Sequence, residues 1–316
     1  MALSEAASGA AADVSSLRKG RGHALKDISQ TAVRGFTFLC ALVSVVTTFS
    51  IVWILLSEAI GFFQTVSISE FFTGTVWQPV NEPPSFGVLP LISGTLLITV
   101  GAGIIAVPLG LLSAIFLSEY AHPKVRNFLK PTLELLAGIP TVVYGYFALF
   151  FVTPLLQGVI PNVQAFNAAS GMIVVGIMIL PLVSSLCEDA LAAVPKALRE
   201  GAYGLGATKM EVTTRIVVPA ALSGVMAAFI LALSRALGET MAVTLAAGAK
   251  PNLTWNPAES IQTMTAYIVA VTKGDAPAGT VRYNSIFAVG VTLFVFTMAM
   301  NLLAQRLVRK FRQVYQ

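Results

Sequence analysis

Long apolar stretches alternate with short polar ones along this chain. The first, Phe36 to Ser57, has 22 residues and no charge. A membrane span needs about 20 apolar residues, whereas a secretory signal core has roughly 7–15. This stretch therefore predicts a retained membrane helix. Five more follow: Val88 to Ser118, Pro131 to Val159, Ala168 to Cys187, Ile216 to Gly248 and Ile286 to Ala304. Val88 to Ser118 is long enough to tilt or to kink at Pro108, and Ala168 to Cys187 is interrupted by Pro181. Glu134, close behind Pro131, suits the first turn of its helix, where a carboxylate complements the dipole. The pattern predicts an all-α integral membrane protein with six spans.

The segments between the spans give it a direction. Arg18, Lys19, Arg21, Lys26 and Arg34 precede the first span, and Lys124, Arg126 and Lys130 follow the second. Lys196, Arg199, Lys209 and Arg215 follow the fourth; Arg306, Arg309, Lys310 and Arg312 follow the sixth. The loops on the other side hold only Lys250, Lys273 and Arg282. Sixteen basic residues against three put both termini in the cytoplasm. Residues 1–35, rich in Ala, Ser and Gly, predict a mobile polar tail with helix only near Ile28. Residues 36–312 form the membrane domain, with an inner loop at 188–219, and 313–316 end the chain. Two outer loops stand out: Glu58 to Gly87, with three acids and no base, and the long Ala249 to Ser285.

Composition agrees with the pattern. Charged residues make up 11% of the 316 and hydrophobic ones 56%, where a soluble domain carries about 25% charge. The net charge of +5 is accounted for by loop orientation, and no aromatic-rich basic patch points to nucleic acid. Cys40 and Cys187 fall in or beside apolar stretches and suggest neither a disulfide framework nor a metal site. His23 and His122 are isolated in polar segments. No H-E-x-x-H or Ser-Lys arrangement supports an intramembrane enzyme.

The inner loop carries the most information. Pro195 can open a helix at Lys196, and Gly204 with Gly206 can close it; a second short helix follows over Ala207 to Arg215. Two short helices joined at a glycine bend make a protrusion that fits a groove in a soluble partner. Within it, Glu200, Ala202, Gly206, Ile216 and Pro219 match E-A-A-x3-G-x9-I-x-L-P, with Gly201 and Val218 as small departures. The chain has no G-x4-G-K-[ST] loop of its own: Gly204 to Lys209 is glycine-rich but wrongly spaced.

In the fifth stretch, Arg235 and Glu239 interrupt apolar sequence at a spacing of four, on one face of a continuous helix. A basic residue at membrane depth costs about 2.5–3.5 kcal/mol at the centre. Counted from Pro219, Arg235 lies roughly 24 Å along a straight helix, toward the outer side. A guanidinium matches two oxygens of an oxyanion. Glu239 can accept a hydrogen bond from a phosphate that still carries a hydroxyl, which fully ionised sulfate lacks. From these two residues alone, an internal salt bridge explains the pair equally well, and the Thr240 hydroxyl can simply satisfy backbone.

The inner-loop pattern resembles the permease signature of bacterial ABC importers. R-A-L-G-E-T-M-A-V from Arg235 resembles the fifth-helix signature of phosphate-importer permeases. Phe72 to Pro79, Phe86 to Thr95 and Ala137 to Gly145 point the same way, the first two to the C-type subunit. The resemblance spans about Phe36 to Arg312. It implies a type I ABC importer permease fold in a bacterial cytoplasmic (inner) membrane, importing inorganic phosphate by alternating access. It further implies Arg235, Glu239 and Thr240 in the translocation path, and Glu200, Ala202, Gly206, Ile216 and Pro219 in coupling to an ATPase. The implied partners are an A-type permease paralogue, two copies of a cytoplasmic ATPase subunit, an extracytoplasmic phosphate-binding protein and membrane lipid. ATP and Mg would belong to the ATPase subunits, leaving this chain without a cofactor or catalysis of its own. Another oxyanion, such as phosphonate, sulfate or molybdate, remains open at this stage, as does an ATPase-independent channel or carrier.

Overall fold

A computed structural model describes residues 2–274 and 276–311; the expected end segment 313–316 lies outside them. The chain separates into two compact units, Met1–Ser57 and Glu58–Gln316. Helix α1 runs Ala2–Phe63, so helix begins well ahead of the first apolar stretch, and the segment expected as a tail is part of it. Alanine-rich sequence needs no buried contact to favour that conformation. Its apolar part, Ala32–Phe63, is long enough to cross a bilayer, and Phe36, Phe38, Phe49 and Trp53 are all exposed.

Four further helical stretches have the length and apolarity of a span: Leu89–Tyr120, Thr141–Val159, Ala168–Ala192 and Val281–Arg306. A sixth arises from Lys209–Ala220 and Leu222–Leu237, bent by 69° at their junction. Helix α3 (Leu89–Ile115) passes through Pro108 and continues as a π-turn, Phe116–Tyr120. Helix α7 (Ala168–Ala192) is the central element, capped at its start by Asn167, whose side chain accepts from Ser170 N. Gly110 faces Val183 and Gly176 faces Ile105 closely enough that a Cβ on either would crowd its neighbour. Small residues at such crossings let α3 and α7 pack tightly without polar glue. Helix α14 (Val281–Phe311) completes the set.

Two stretches read as continuous are interrupted. Helix α4 (Pro123–Ala137) ends at Gly138, and a new helix, α5 (Thr141–Phe147), starts after Pro140. A π-turn, Ala148–Val152, leads from it into α6 (Thr153–Val159). The third span therefore starts at Thr141, not Pro131. Glu134 lies exposed inside α4, one of a set of mixed polar and apolar positions, and not in a first turn. In the fifth stretch, α11 (Leu222–Leu237) ends at Gly238, and α12 (Met241–Ala247) starts after Thr240.

The start of α3 carries an aromatic cap. Helix α2 (Ile68–Thr73) and the hairpin of β1 (Trp77–Gln78) and β2 (Ser85–Phe86), paired Trp77 to Phe86, sit over it. Gly74 and Gly87 come so close that a Cβ on Gly74 would lie 2.6 Å from the Gly87 Cα. Phe62, Phe71, Trp77 and Phe86 pack edge to face, joined by Tyr267 of α13 (Met264–Lys273). The other end of α3 carries charge instead. At 1.5 Å per residue, its helical course of 27 residues separates the two ends by about 40 Å.

Candidate functional site

Two regions hold the residues singled out by sequence. At the charged end, α8 (Lys196–Gly204) follows Pro195, and α9 (Lys209–Val212) follows a turn. Gly206 has φ +86°, left-handed backbone that costs a residue with a Cβ about 1–2 kcal/mol. Its N–H donates to the Tyr203 carbonyl, while the Ala207 N–H reaches back to the Ala202 carbonyl. Thr208 caps α9: its Oγ1 accepts from Glu211 N, and the Glu211 carboxylate accepts from Thr208 N at 2.9 Å. The chain then runs through a π-turn, Thr213–Val217, and the short α10 (Val218–Ala220), before bending into α11.

The five signature residues divide by direction. Ala202 is buried and Ile216 packs against the core, so these two seat the protrusion on the bundle. Glu200, Gly206 and Pro219 are exposed. Leu205, between the helices, is 91% exposed, and it is flanked by Tyr203 near the end of α8 and by Met210 of α9, 69% exposed. Sequence reasoning passed over this apolar tip, although three large apolar residues flanking a glycine bend in a basic loop were a legible signal.

The same end holds an ionic network that the sequence reading missed. The Glu188 carboxylate, fully buried at the end of α7, receives Arg126 on one oxygen and Lys130, at 2.5 Å, on the other. Lys130 also reaches Asp189 at 2.7 Å. Burial alone would lower the Lys130 amine, but its hydrogen bonds to Asp189 and Glu188 outweigh that and raise it above its usual value. Arg199 of α8 donates to Glu119 at 3.0 Å and to the carbonyls of Leu191 and Val194. A cavity of about 360 Å³ opens beside these groups, lined by Glu119, Arg126, Lys196, Arg199, Glu200 and Tyr203.

The second region is the interruption between α11 and α12. Arg235 lies exposed in the last turn of α11, and Glu239 and Thr240 are half-buried in the short non-helical link. The two charges therefore do not share a face of one helix. Among the described residues Arg235 makes no ion pair, which removes the internal salt bridge as an explanation. Because the chain bends before Leu222, the depth of Arg235 is counted from there, about 20 Å at 1.5 Å per residue. The Glu239 carboxylate accepts from Ala242 N at 3.1 Å, and Thr240 Oγ1 donates to the Gly238 carbonyl at 3.2 Å.

The link is held from a distance. Thr265 Oγ1 donates to the Glu239 carbonyl at 2.8 Å, satisfying a group that the interrupted helix leaves open. Thr265 belongs to α13, and the segment before it presses inward: Ile261, Gln262 and Thr263 are buried. Met264 N donates to Thr95 Oγ1 of α3 at 3.0 Å. Residues 261–265 of the long loop expected over Ala249 to Ser285 thus wall this region. The five signature residues and the Arg235 region are not brought together; they mark two separate places.

The family described as binding-protein-dependent transport system inner membrane component matches residues 106–313. A probable ABC transporter permease, YqgH of Bacillus subtilis, is 34% identical over 284 residues, covering 89% of this chain and 92% of that one. The phosphate transport system permease protein PstC of Mesorhizobium japonicum is 36% identical, covering 74% of this chain and 76% of its own. PstC of Haemophilus influenzae is 33% identical, covering 82% and 88%. Among solved structures, a bacterial alginate ABC transporter superposes with a TM-score of 0.56 at 16% identity, over 87% of this chain and 96% of that one. An inward-facing MetNI methionine ABC transporter gives 0.53 at 17%, over 72% and 95%. At such identities these two speak for shared fold alone.

Proposed function

This chain belongs to the family of binding-protein-dependent transport system inner membrane components, and from that premise we propose that it is the C-type permease subunit of an ATP-driven importer of inorganic phosphate. Its fold is that of a type I ABC importer permease in the inner membrane, with the fifth span assembled from bent pieces. The likeness to PstC proteins of two bacteria, over 74% and 82% of this chain, supports the substrate.

The observation that carries the reading is the interrupted helix with a free guanidinium on one side and a carboxylate on the other. Arg235 offers two parallel donors to phosphate oxygens. It needs no rearrangement to do so, because no acid among the described residues pairs with it. Glu239 accepts the hydroxyl of a protonated phosphate, and Thr240 lies beside it in the same link. In a bilayer, a link without helical hydrogen bonds is tolerated where it lines a cavity or packs on protein. The wall of residues 261–265 supplies that packing here. The exposed side of Arg235 then faces the paralogous A-type permease, with the path between the two subunits.

At the other end, the apolar tip of Tyr203, Leu205 and Met210 suits a groove in one of two cytoplasmic ATPase subunits, which bind the ATP and Mg. Glu200, Gly206 and Pro219 border that contact, while Ala202 and Ile216 anchor it. Both termini lie in the cytoplasm by the distribution of basic residues. An extracytoplasmic phosphate-binding protein docks at the aromatic cap. Hydrolysis stays in the ATPase subunits, and this chain contributes the path, its selectivity and the handle.

Uptake of radiolabelled phosphate into proteoliposomes carrying the whole complex tests the reading. Loss of a charged hydrogen-bonding partner costs about 1.5–3 kcal/mol, so Arg235→Ala should lower uptake roughly 10- to 100-fold with assembly intact. Wild-type uptake by that variant would remove Arg235 from the path. Sulfate competing as well as phosphate would refute the role given to Glu239.

A further inference from the structure

The proposed transport path leaves unused the fully buried Glu188 carboxylate, which meets two cations. We propose that Glu188 and Arg199 are positioning residues that lock α4 and α8 onto the last turn of α7, so that α8 cannot move without carrying α4. This rests on the importer reading given above and deepens it.

Three observations lead here. Each oxygen of the buried Glu188 meets a different cation of α4, Arg126 and Lys130, which lie one helical turn apart. Helix α4 buries no residue fully, so these ion pairs are what orient it on α7. On the α8 side, Arg199 satisfies the Leu191 and Val194 carbonyls and pairs with Glu119 at the end of α3. Carbonyls at the end of a helix lack partners within it and favour a cation. The end of α7 thus takes charge from both short helices at once.

Burying a carboxylate with two cations is a poor way to gain stability alone, because apolar residues of the same volume do as well or better. What ion pairs add is a fixed geometry. Beyond α4 the chain turns at Gly138–Pro140, and Tyr144 Oη donates across that turn to the Leu136 carbonyl at 2.9 Å. Gly145 then packs directly on Leu245 and Ala242 of α12, just past the Arg235–Glu239 link. A shift of α8 under an ATPase therefore has a contiguous route to the substrate path, through the α7 end, α4 and α5.

The experiment reads phosphate imported per ATP hydrolysed by the full complex in proteoliposomes. Glu188→Gln and Lys130→Met should each lower that ratio about five- to tenfold, with ATP hydrolysis continuing. The double variant should fall short of the product of the two single effects, since both remove the Glu188–Lys130 pair. A merely structural role would lower the yield of complex, and import and hydrolysis together, leaving the ratio unchanged; that result overturns the proposal. Should Glu188→Gln fail to assemble, Lys130→Met decides alone, for that side chain is 27% exposed and tolerates replacement. A wild-type complex that hydrolyses ATP without importing phosphate would sink the importer reading, and this proposal with it. Coupled wild type with equally coupled variants would sink this proposal only.

Discussion

The two ends of the bundle solve the same problem with opposite materials. At the aromatic cap, Phe62, Phe71, Trp77, Phe86 and Tyr267 interlock edge to face. Among the described residues no salt bridge lies there. At the basic end, few large side chains are buried, and four ion pairs hold α4, α7, α8 and the end of α3 together. Aromatic packing is short-ranged and indifferent to salt, which suits a lid that must stay closed. Ion pairs keep an orientation over a longer distance and can be exchanged one for another, which suits parts that move as units. The difference teaches where to look for motion: at the charged end and at the interrupted helices it is tied to.

The largest effect should come from the cap. Trp77 is 1% exposed, and removing a buried aromatic costs about 3–5 kcal/mol. Trp77→Ala should lower the apparent melting temperature of the complex in detergent, by the same amount at low and at high salt. A salt-dependent loss would break the contrast between the two ends. Next comes Glu188→Ala. Taking one partner from a buried pair costs about 3–5 kcal/mol when the charge left behind is itself buried. Arg126 and Lys130 retain solvent contact, so the expected loss is smaller, about 1–2 kcal/mol. Its size should shrink as salt rises, because the intact pairs that the variant lacks are themselves partly screened.

How far this contrast could be read from sequence depends on the distance over which each feature is decided. Spans are decided locally, by runs of apolar residues, and five of the six stretches have helical counterparts of the expected kind. Interruptions are decided remotely. Nothing in S-R-A-L-G-E-T-M-A-V forces the helix to stop, since one glycine is tolerated in a helix at about 1 kcal/mol. The Thr265 hydroxyl, 26 residues further on, holds the Glu239 carbonyl open. Helix α4 was merged into the third span because Leu133, Leu135 and Leu136 extend the apolar run past Pro131, while its exposed face was hidden in the average. Glu188 looked like an ordinary loop acid, and the cations that bury it lie 58 and 62 residues away. Arg126 and Lys130, four apart on a short amphipathic segment, were the one local hint. The signature around Gly206, by contrast, was legible, because both its helices and its turn are set by neighbours within a few residues.

A smaller effect sharpens the comparison within the basic end. Gly206→Ala meets no steric obstacle, for nothing lies within 4 Å of its added Cβ. Its cost is conformational, about 1–2 kcal/mol, and independent of salt, unlike that of Glu188→Ala beside it. If the α8–α9 turn acts as a rigid handle, this variant should hydrolyse ATP faster than it imports phosphate; if the turn is only a link, both rates should fall together.

The smallest effect is the most specific to the network. The Lys130 amine stands above its unfolded value of 10.5, held up by Asp189 and Glu188 against the opposing pull of burial. A base raised on folding contributes its full stability below the unfolded pKa and loses it as pH climbs through the folded one. The groups facing it are Glu188 and Asp189 on α7 and Arg126 on its own helix, and comparison with Lys130→Met isolates the part that belongs to Lys130. Melting temperatures taken between pH 8 and pH 11 should thus fall a little more steeply above about 10.5 for the wild type than for Lys130→Met. The two curves should run parallel below it. Parallel curves throughout would mean that the amine is not engaged by its two carboxylates, and the charged end would then rest on the Arg126–Glu188 and Arg199–Glu119 pairs.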